Sequence, residues 1–130
     1  MNQNRIKELN EDFKKSLSRL KAALNEDLSL GNIVIDGTIQ RFEFTFELSW
    51  KLLKLVLNQQ GIEATTPRAA IKEAYKAKII NDGDGWIDML EDRNKTSHIY
   101  DENQAKKIYE KIKKSHIVLF DALGNDLKIS

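Results

Sequence analysis

Cysteine is absent from the 130 residues. This excludes disulfides, thiolate metal sites and thiol nucleophiles. Histidine occurs only as His98 and His116, which leaves little for a metal centre, and no metal or organic cofactor is expected. No run of about 18 apolar residues is present, so no membrane-spanning helix is expected. The segment from Met1 to Lys15 is polar and amphipathic, without the apolar core of a signal peptide. A soluble, cytoplasmic protein is the expectation. An excess of either charge is lacking too, with 21 basic against 20 acidic residues and a net charge of +1. Proteins that coat nucleic acid or hold anionic membranes need a strong basic excess, so only a local basic cleft stays open. One proline and six glycines are few for this length, and long helices follow.

Those helices are legible in the apolar spacing. Ile6, Leu9, Phe13, Leu17, Leu20 and Leu24 recur in steps of three and four, the signature of a helix with one buried stripe. The spacing predicts a helix from about Asn4 to Asn25 and, after a connection containing Gly31, a second from about Ile33 to Gln60. The second carries one face of Ile35, Ile39, Phe42, Phe46, Leu53 and Leu57, another of Phe44, Leu48, Leu52, Leu55 and Val56, and Trp50 between them. A helix apolar on two sides must be covered on two sides. Either it is the central helix of a well-covered bundle or it meets a second copy of the chain in a homodimer. Gly61 supplies its stop. Thr66 reads as an N-cap and Pro67 as the first residue of a third helix running to about Ile79. Asn81 to Gly85 reads as a turn. A short helix from about Trp86 to Asn94 and a last helix from about Glu102 to Leu123 complete the chain. The lysines of the last helix (Lys106, Lys107, Lys111, Lys113 and Lys114) read as a solvated face, and His116 among them as exposed or packing. The expectation is one all-α domain over 1–130: an antiparallel up-down bundle of four main helices plus one short helix, dimerising.

The chemistry-bearing segment is Arg93-Asn94-Lys95-Thr96-Ser97-His98-Ile99-Tyr100. Arg93 is a permanent cation able to hold a phosphate bidentately. His98 exchanges a proton near neutral pH, and Tyr100 brings a hydroxyl. On a continuous helix Arg93 and His98 would stand about 140° apart. They can converge only if the helix ends between them, and Asn94, Thr96 and Ser97 are poor interior helix residues. The plainer reading makes Arg93 a helix C-terminal cation paired with Glu91, Asp92 or Asp101, and His98 and Tyr100 packing residues. Elsewhere, Asp36, Gln40, Glu43 and Glu47 line one polar face of the second helix, with Lys51 and Lys54 following as candidate phosphate contacts. Asp82 and Asp84 lack a third metal ligand nearby.

Arg93-x4-His98-x-Tyr100 resembles the R-x4-6-H-x-Y motif of HepT-like toxins, all-helical proteins of the HEPN group. Over roughly residues 5 to 125 the chain also resembles the nucleotidyltransferase substrate-binding proteins. That likeness rests on the segments from Ile39 to Lys51, Pro67 to Ala74 and Trp86 to Tyr100. The resemblance implies a homodimer whose two motifs face one cleft, and a separate nucleotidyltransferase chain of the MNT type as toxin–antitoxin partner. It implies a metal-independent endoribonuclease acting on RNA through Arg93, His98 and Asn94; Lys95 and Lys51 are candidate phosphate or RNA contacts beside it. It also implies silencing by AMP transfer to Tyr100. The family's older name implies instead a non-catalytic subunit that presents substrate to the nucleotidyltransferase. A purely structural dimer with a degenerate motif is the third alternative.

Overall fold

A computed structural model describes residues 2–127, with side chains from residue 3. Its helices are α1 (Asn2–Leu24), α2 (Asn32–Gln59), α3 (Pro67–Lys76), α4 (Gly83–Lys95), α5 (Glu102–Lys111) and α6 (Ile117–Asp126). A π turn at Ile112–His116 joins the last two into one rod, and 3-10 turns occupy Leu28–Leu30 and Thr96–His98. No strand occurs among the described residues.

Cross-helix pairs give the directions. Ser16 meets Thr45 while the Arg19 carbonyl accepts from Arg41, so α1 and α2 run antiparallel. Phe46 packs on Trp86 and Glu43 meets Thr96, so α4 runs against α2. Trp86 packs on Phe120, Asp92 bonds His116, and His98 shares a hollow with Gln104; the α5–α6 rod therefore runs against α4. Four main helices alternate up and down; the short extra one is α3 and not the segment at Trp86, which the Asp82 cap lengthens into the main helix α4.

The core forms where the stripes meet. Every residue of the α1 stripe from Ile6 to Leu24 is buried. Phe42 and Phe46 of α2, Trp86 of α4 and Phe120 of α6 are buried around it, each such side chain contributing about 1.5–3 kcal/mol. On α2 the second apolar face is mostly covered: Leu52 and Val56 are buried and Leu48, Trp50 and Leu55 partly so. Phe44 alone of that face stays 66% exposed. Buried hydroxyls on α2 are satisfied locally, Thr38 donating to the Val34 carbonyl and Ser49 to that of Phe46.

Several boundaries differ from the sequence reading. Thr66 caps α3 through the Ala69 N–H, but α3 ends at Lys76. Lys78 takes a left-handed φ of 63°, and the amides of Lys78 and Ile79 turn back to Tyr75 and Ala74, closing the helix before Ile79. Residues 83–85, read as a turn, form the first turn of α4, because Asp82 accepts from the Gly85 N–H at 2.9 Å and starts the helix early. A Cβ on Gly85 would lie 2.5 Å from the Asp82 carboxylate, so the cap depends on the glycine. The last helix is interrupted rather than continuous: Ile117 N–H reaches back five residues to the Ile112 carbonyl. Gly61, with φ of 81°, ends α2 as expected.

Candidate functional site

The α-helix gives way inside the motif, but the backbone stays helical as far as His98 and becomes extended at Ile99. α4 ends at Lys95, and Thr96 to His98 tighten into a 3-10 turn. Two hydroxyls bind the freed carbonyls: Ser97 donates to Asn94 at 3.0 Å, and Thr96 lies 2.6 Å from the Arg93 carbonyl. The single Thr96 proton is shared with Glu43 of α2, whose Oε2 lies 2.7 Å away. The same Glu43 oxygen stands 3.6 Å from the Arg93 guanidinium. Glu43 thus ties down both the arginine and the break behind it. Glu91, Asp92 and Asp101 do not hold Arg93; a residue fifty positions upstream does.

The motif side chains face different spaces. Asn94, Lys95 and His98 line a hollow of about 550 Å³ between the end of α4 and α5. Arg93, half-buried with its Nε unpaired, is not among the residues lining it. Tyr100 borders a separate hollow with Asn32, Ile35 and Asp36 of α2, and the residue is 83% exposed. Ile99, packed partly on the core, forms the ridge between the two hollows. The Tyr100 backbone is fixed: its N–H donates to Gln104 Oε1 at 3.0 Å, while Asp101 caps α5 by accepting from Gln104 N–H at 2.8 Å. Lys51 lies apart on exposed α2 surface, 3.5 Å from Glu47.

Behind the motif lies a buried polar cluster that the sequence reading missed. Asp92 and His116 are 2% and 1% exposed. His116 Nε2 and Asp92 Oδ2 share a hydrogen bond at 2.6 Å, and the buried Nδ1 has no hydrogen-bond partner. The imidazole stacks on Phe42 with centroids 5.5 Å apart. Lys111 reaches Asp92 at 2.8 Å and Asp88 at 2.9 Å, so it is not part of a purely solvated face. Burial pushes the Asp92 carboxyl up, yet the hydrogen bonds and charges of His116 and Lys111 outweigh that and hold it below the usual carboxylate range. Burial likewise pulls Lys111 down, and its bonds to Asp92 and Asp88 reverse this, raising it. Asp88, Asp92 and His116 converge within 4.8 Å, a grouping that would suit a cation, but the Lys111 ammonium already supplies the positive charge there. The signal for their burial, though not for their pairing, was in the sequence. Asp92 falls three residues after Met89 on the buried side of α4, and His116 falls between Ile112 and Phe120 at spacings of four.

No helix among the described residues is long and apolar enough to cross a membrane. The chain matches the family model described as nucleotidyltransferase substrate binding protein like over residues 8–129. It is 37% identical over 84 residues to a Haemophilus influenzae protein named probable ribonuclease HepT, covering 61% of this chain and 58% of that protein. It therefore spans little more than half the length of that relative. Solved structures share the fold, among them the following two. One is a crystal structure of a Thermus thermophilus protein with TM-score 0.78, 30% identity, and coverage of 85% of this chain and 94% of that one. The other is a Haemophilus influenzae protein described as revealing the fold of a substrate binding domain of a nucleotidyltransferase, with TM-score 0.68, 25% identity, and coverage of 95% and 96%. With an all-α bundle and the family model matched over residues 8–129, the chain belongs to the nucleotidyltransferase substrate-binding protein family.

Proposed function

We propose that the chain is the HepT-like member of a two-component system, a metal-independent endoribonuclease whose partner is a separate nucleotidyltransferase. The observation that carries this is His98, exposed on the turn that ends α4 and lining a hollow with Asn94 and Lys95 inside the Arg93-x4-His98-x-Tyr100 motif. In the reaction, the ribose 2′-oxygen attacks the adjacent phosphorus and the bond to the 5′-oxygen breaks. His98 takes the 2′ proton or returns one to the leaving oxygen. Arg93 stabilises charge on the phosphorane, and Asn94 orients His98 or a phosphate oxygen. Lys95, beside His98, and Lys51 on α2 contact RNA phosphates. Cleavage of RNA by the isolated chain in EDTA tests the proposal; an unmodified wild type that leaves RNA intact refutes it.

Arg93 and His98 do not line one hollow within a chain, and the proposed cleft is completed by a second copy. Exposed Phe44 on α2 is the apolar anchor for that pairing. Light scattering at micromolar concentration is expected to give twice the 15.0 kDa chain mass, and Phe44→Asp to give the single-chain mass. A wild type that is monomeric removes the shared cleft.

Tyr100 is the proposed AMP acceptor, and its exposed phenol fits that chemistry. Its oxygen attacks the α-phosphorus of ATP, pyrophosphate leaves, and the phenol proton passes to the transferring enzyme. The added phosphate would sit beside a motif built to hold RNA phosphate, repelling it. Incubation with the partner nucleotidyltransferase and ATP is expected to add AMP to the wild type and none to Tyr100→Phe, read by mass spectrometry. Equal labelling of the two overturns the assignment.

A non-catalytic, substrate-presenting subunit is the second reading. It is favoured by one observation: Arg93 is engaged by Glu43 and turned from the hollow that His98 lines. Binding of substrate without cleavage by the unmodified dimer would select it.

A further inference from the structure

We propose that the hollow between the end of α4 and α5 is a nucleotide pocket, holding a heterocyclic base against Ile99 and Ile108 and its attached phosphate with Lys95 and Lys107. The assignment goes beyond the ribonuclease reading by naming a subsite and its ligand. It rests on that reading for His98, Asn94 and Lys95, which stand in the same wall, and adds Ile99, Gln104, Lys107 and Ile108.

Size permits it, since about 550 Å³ lies within the range of roughly 300–1,000 Å³ usual for small-molecule sites. Charge selects an anion. Lys95 and Lys107 are exposed at the rim, and neither makes an ion pair among the described residues. Asp92 is the one carboxylate in the lining, and it is already spent on Lys111 and His116. The rim therefore carries uncancelled positive charge in a chain whose net charge is only +1.

The walls select what the anion is attached to. Ile108 is 6% exposed and Ile99 packs partly on the core, so they offer a fixed apolar surface to a flat ring. The His98 imidazole adds an aromatic face of the kind on which bases stack. Amides complete the edge chemistry: Gln104 uses its oxygen on the Tyr100 N–H, which leaves its NH₂ to donate, and Asn94 offers both functions. A bare phosphate would use the lysines and nothing else. A nucleoside phosphate uses lysines, apolar wall and amides together, whether it arrives as a free mononucleotide or as one residue of a strand.

Calorimetric titration of the full chain separates these cases. The probes are AMP, GMP, CMP and UMP, inorganic phosphate, and a short 2′-O-methyl oligonucleotide that lacks the nucleophilic hydroxyl. A mononucleotide or the oligonucleotide is expected to bind at least about tenfold more tightly than inorganic phosphate, and Lys107→Glu to weaken that binding about tenfold, the scale of one charge-assisted hydrogen bond. Ile99→Asn is expected to weaken nucleotide binding and leave phosphate binding unchanged. Binding of mononucleotides identifies a free ligand as sufficient; binding of the oligonucleotide alone, sensitive to Lys107→Glu, identifies a residue of a strand. Equal affinity for phosphate and nucleotides, or indifference to Lys107→Glu, overturns the pocket. RNA cleavage with no such binding sinks the pocket and spares the ribonuclease, while binding without cleavage does the reverse.

Discussion

Under the ribonuclease proposal, alanine at His98 is expected to slow RNA cleavage by the isolated chain in EDTA by about 100- to 10,000-fold, the usual worth of a positioned general acid or base. His98 lies on an exposed 3-10 turn, so its removal should leave the helical content and melting temperature close to wild type. Loss of activity is then a loss of chemistry. Arg93→Lys makes the matching test. It keeps the positive charge beside Glu43 but removes the planar fork that grips phosphate, and a fall of about 100-fold or more is expected, the scale of one lost stabilising donor. Growth arrest on expression should disappear in the same variants. Cleavage by His98→Ala at the wild-type rate would place the proton transfer elsewhere.

Alanine at Asp92 should act on stability instead. Breaking a buried pair costs about 3–5 kcal/mol because the remaining partner is stranded. Lys111 is partly exposed and can return to water, whereas His116, 1% exposed, cannot. The lower figure, about 3 kcal/mol, is therefore expected, with a melting temperature lower by roughly 10 °C. The pH dependence follows from the directions of the two shifts. Asp92 titrates below its unfolded value of about 3.9, so its contribution is present above that pH and lost as pH falls through the lowered native value. Lys111 titrates above its unfolded value of about 10.4, so its contribution is present below that pH and lost as pH rises through the raised native value. Between about pH 4 and about pH 10 both are intact. In Asp92→Ala the acid limb attributable to this carboxylate should vanish. A variant that melts with the wild type across this range would show the cluster to be energetically idle.

Much of the architecture was legible in the chain because helices declare themselves locally. The α1 stripe, the Gly61 stop and the Thr66-Pro67 start each depend on neighbours within a turn or two. The boundaries misread are local too, but the residues there carry conflicting signals: the Asp82 cap draws two glycines into α4, Lys78 takes a left-handed φ without being glycine, and the last helix widens into a π turn at Ile112–His116. The site divides as well. Asn94, Thr96 and Ser97 announced a helix end, and the end is there. Nothing near Arg93 in sequence pointed to Glu43, and nothing near His116 pointed to Asp92.

The sequence by itself determined an all-helical chain without thiol chemistry, the order of its helices, and a break inside the Arg93–Tyr100 segment. These rest on periodicity, capping and backbone propensity, which act over a few residues. Only the tertiary structure decided which carboxylate holds Arg93, that His98 and Tyr100 face separate hollows, and that Asp92, Lys111 and His116 share one buried network. Those outcomes depend on helices distant in sequence being packed side by side. A charge or an imidazole on a helix has no assigned partner until that packing brings one within hydrogen-bond reach.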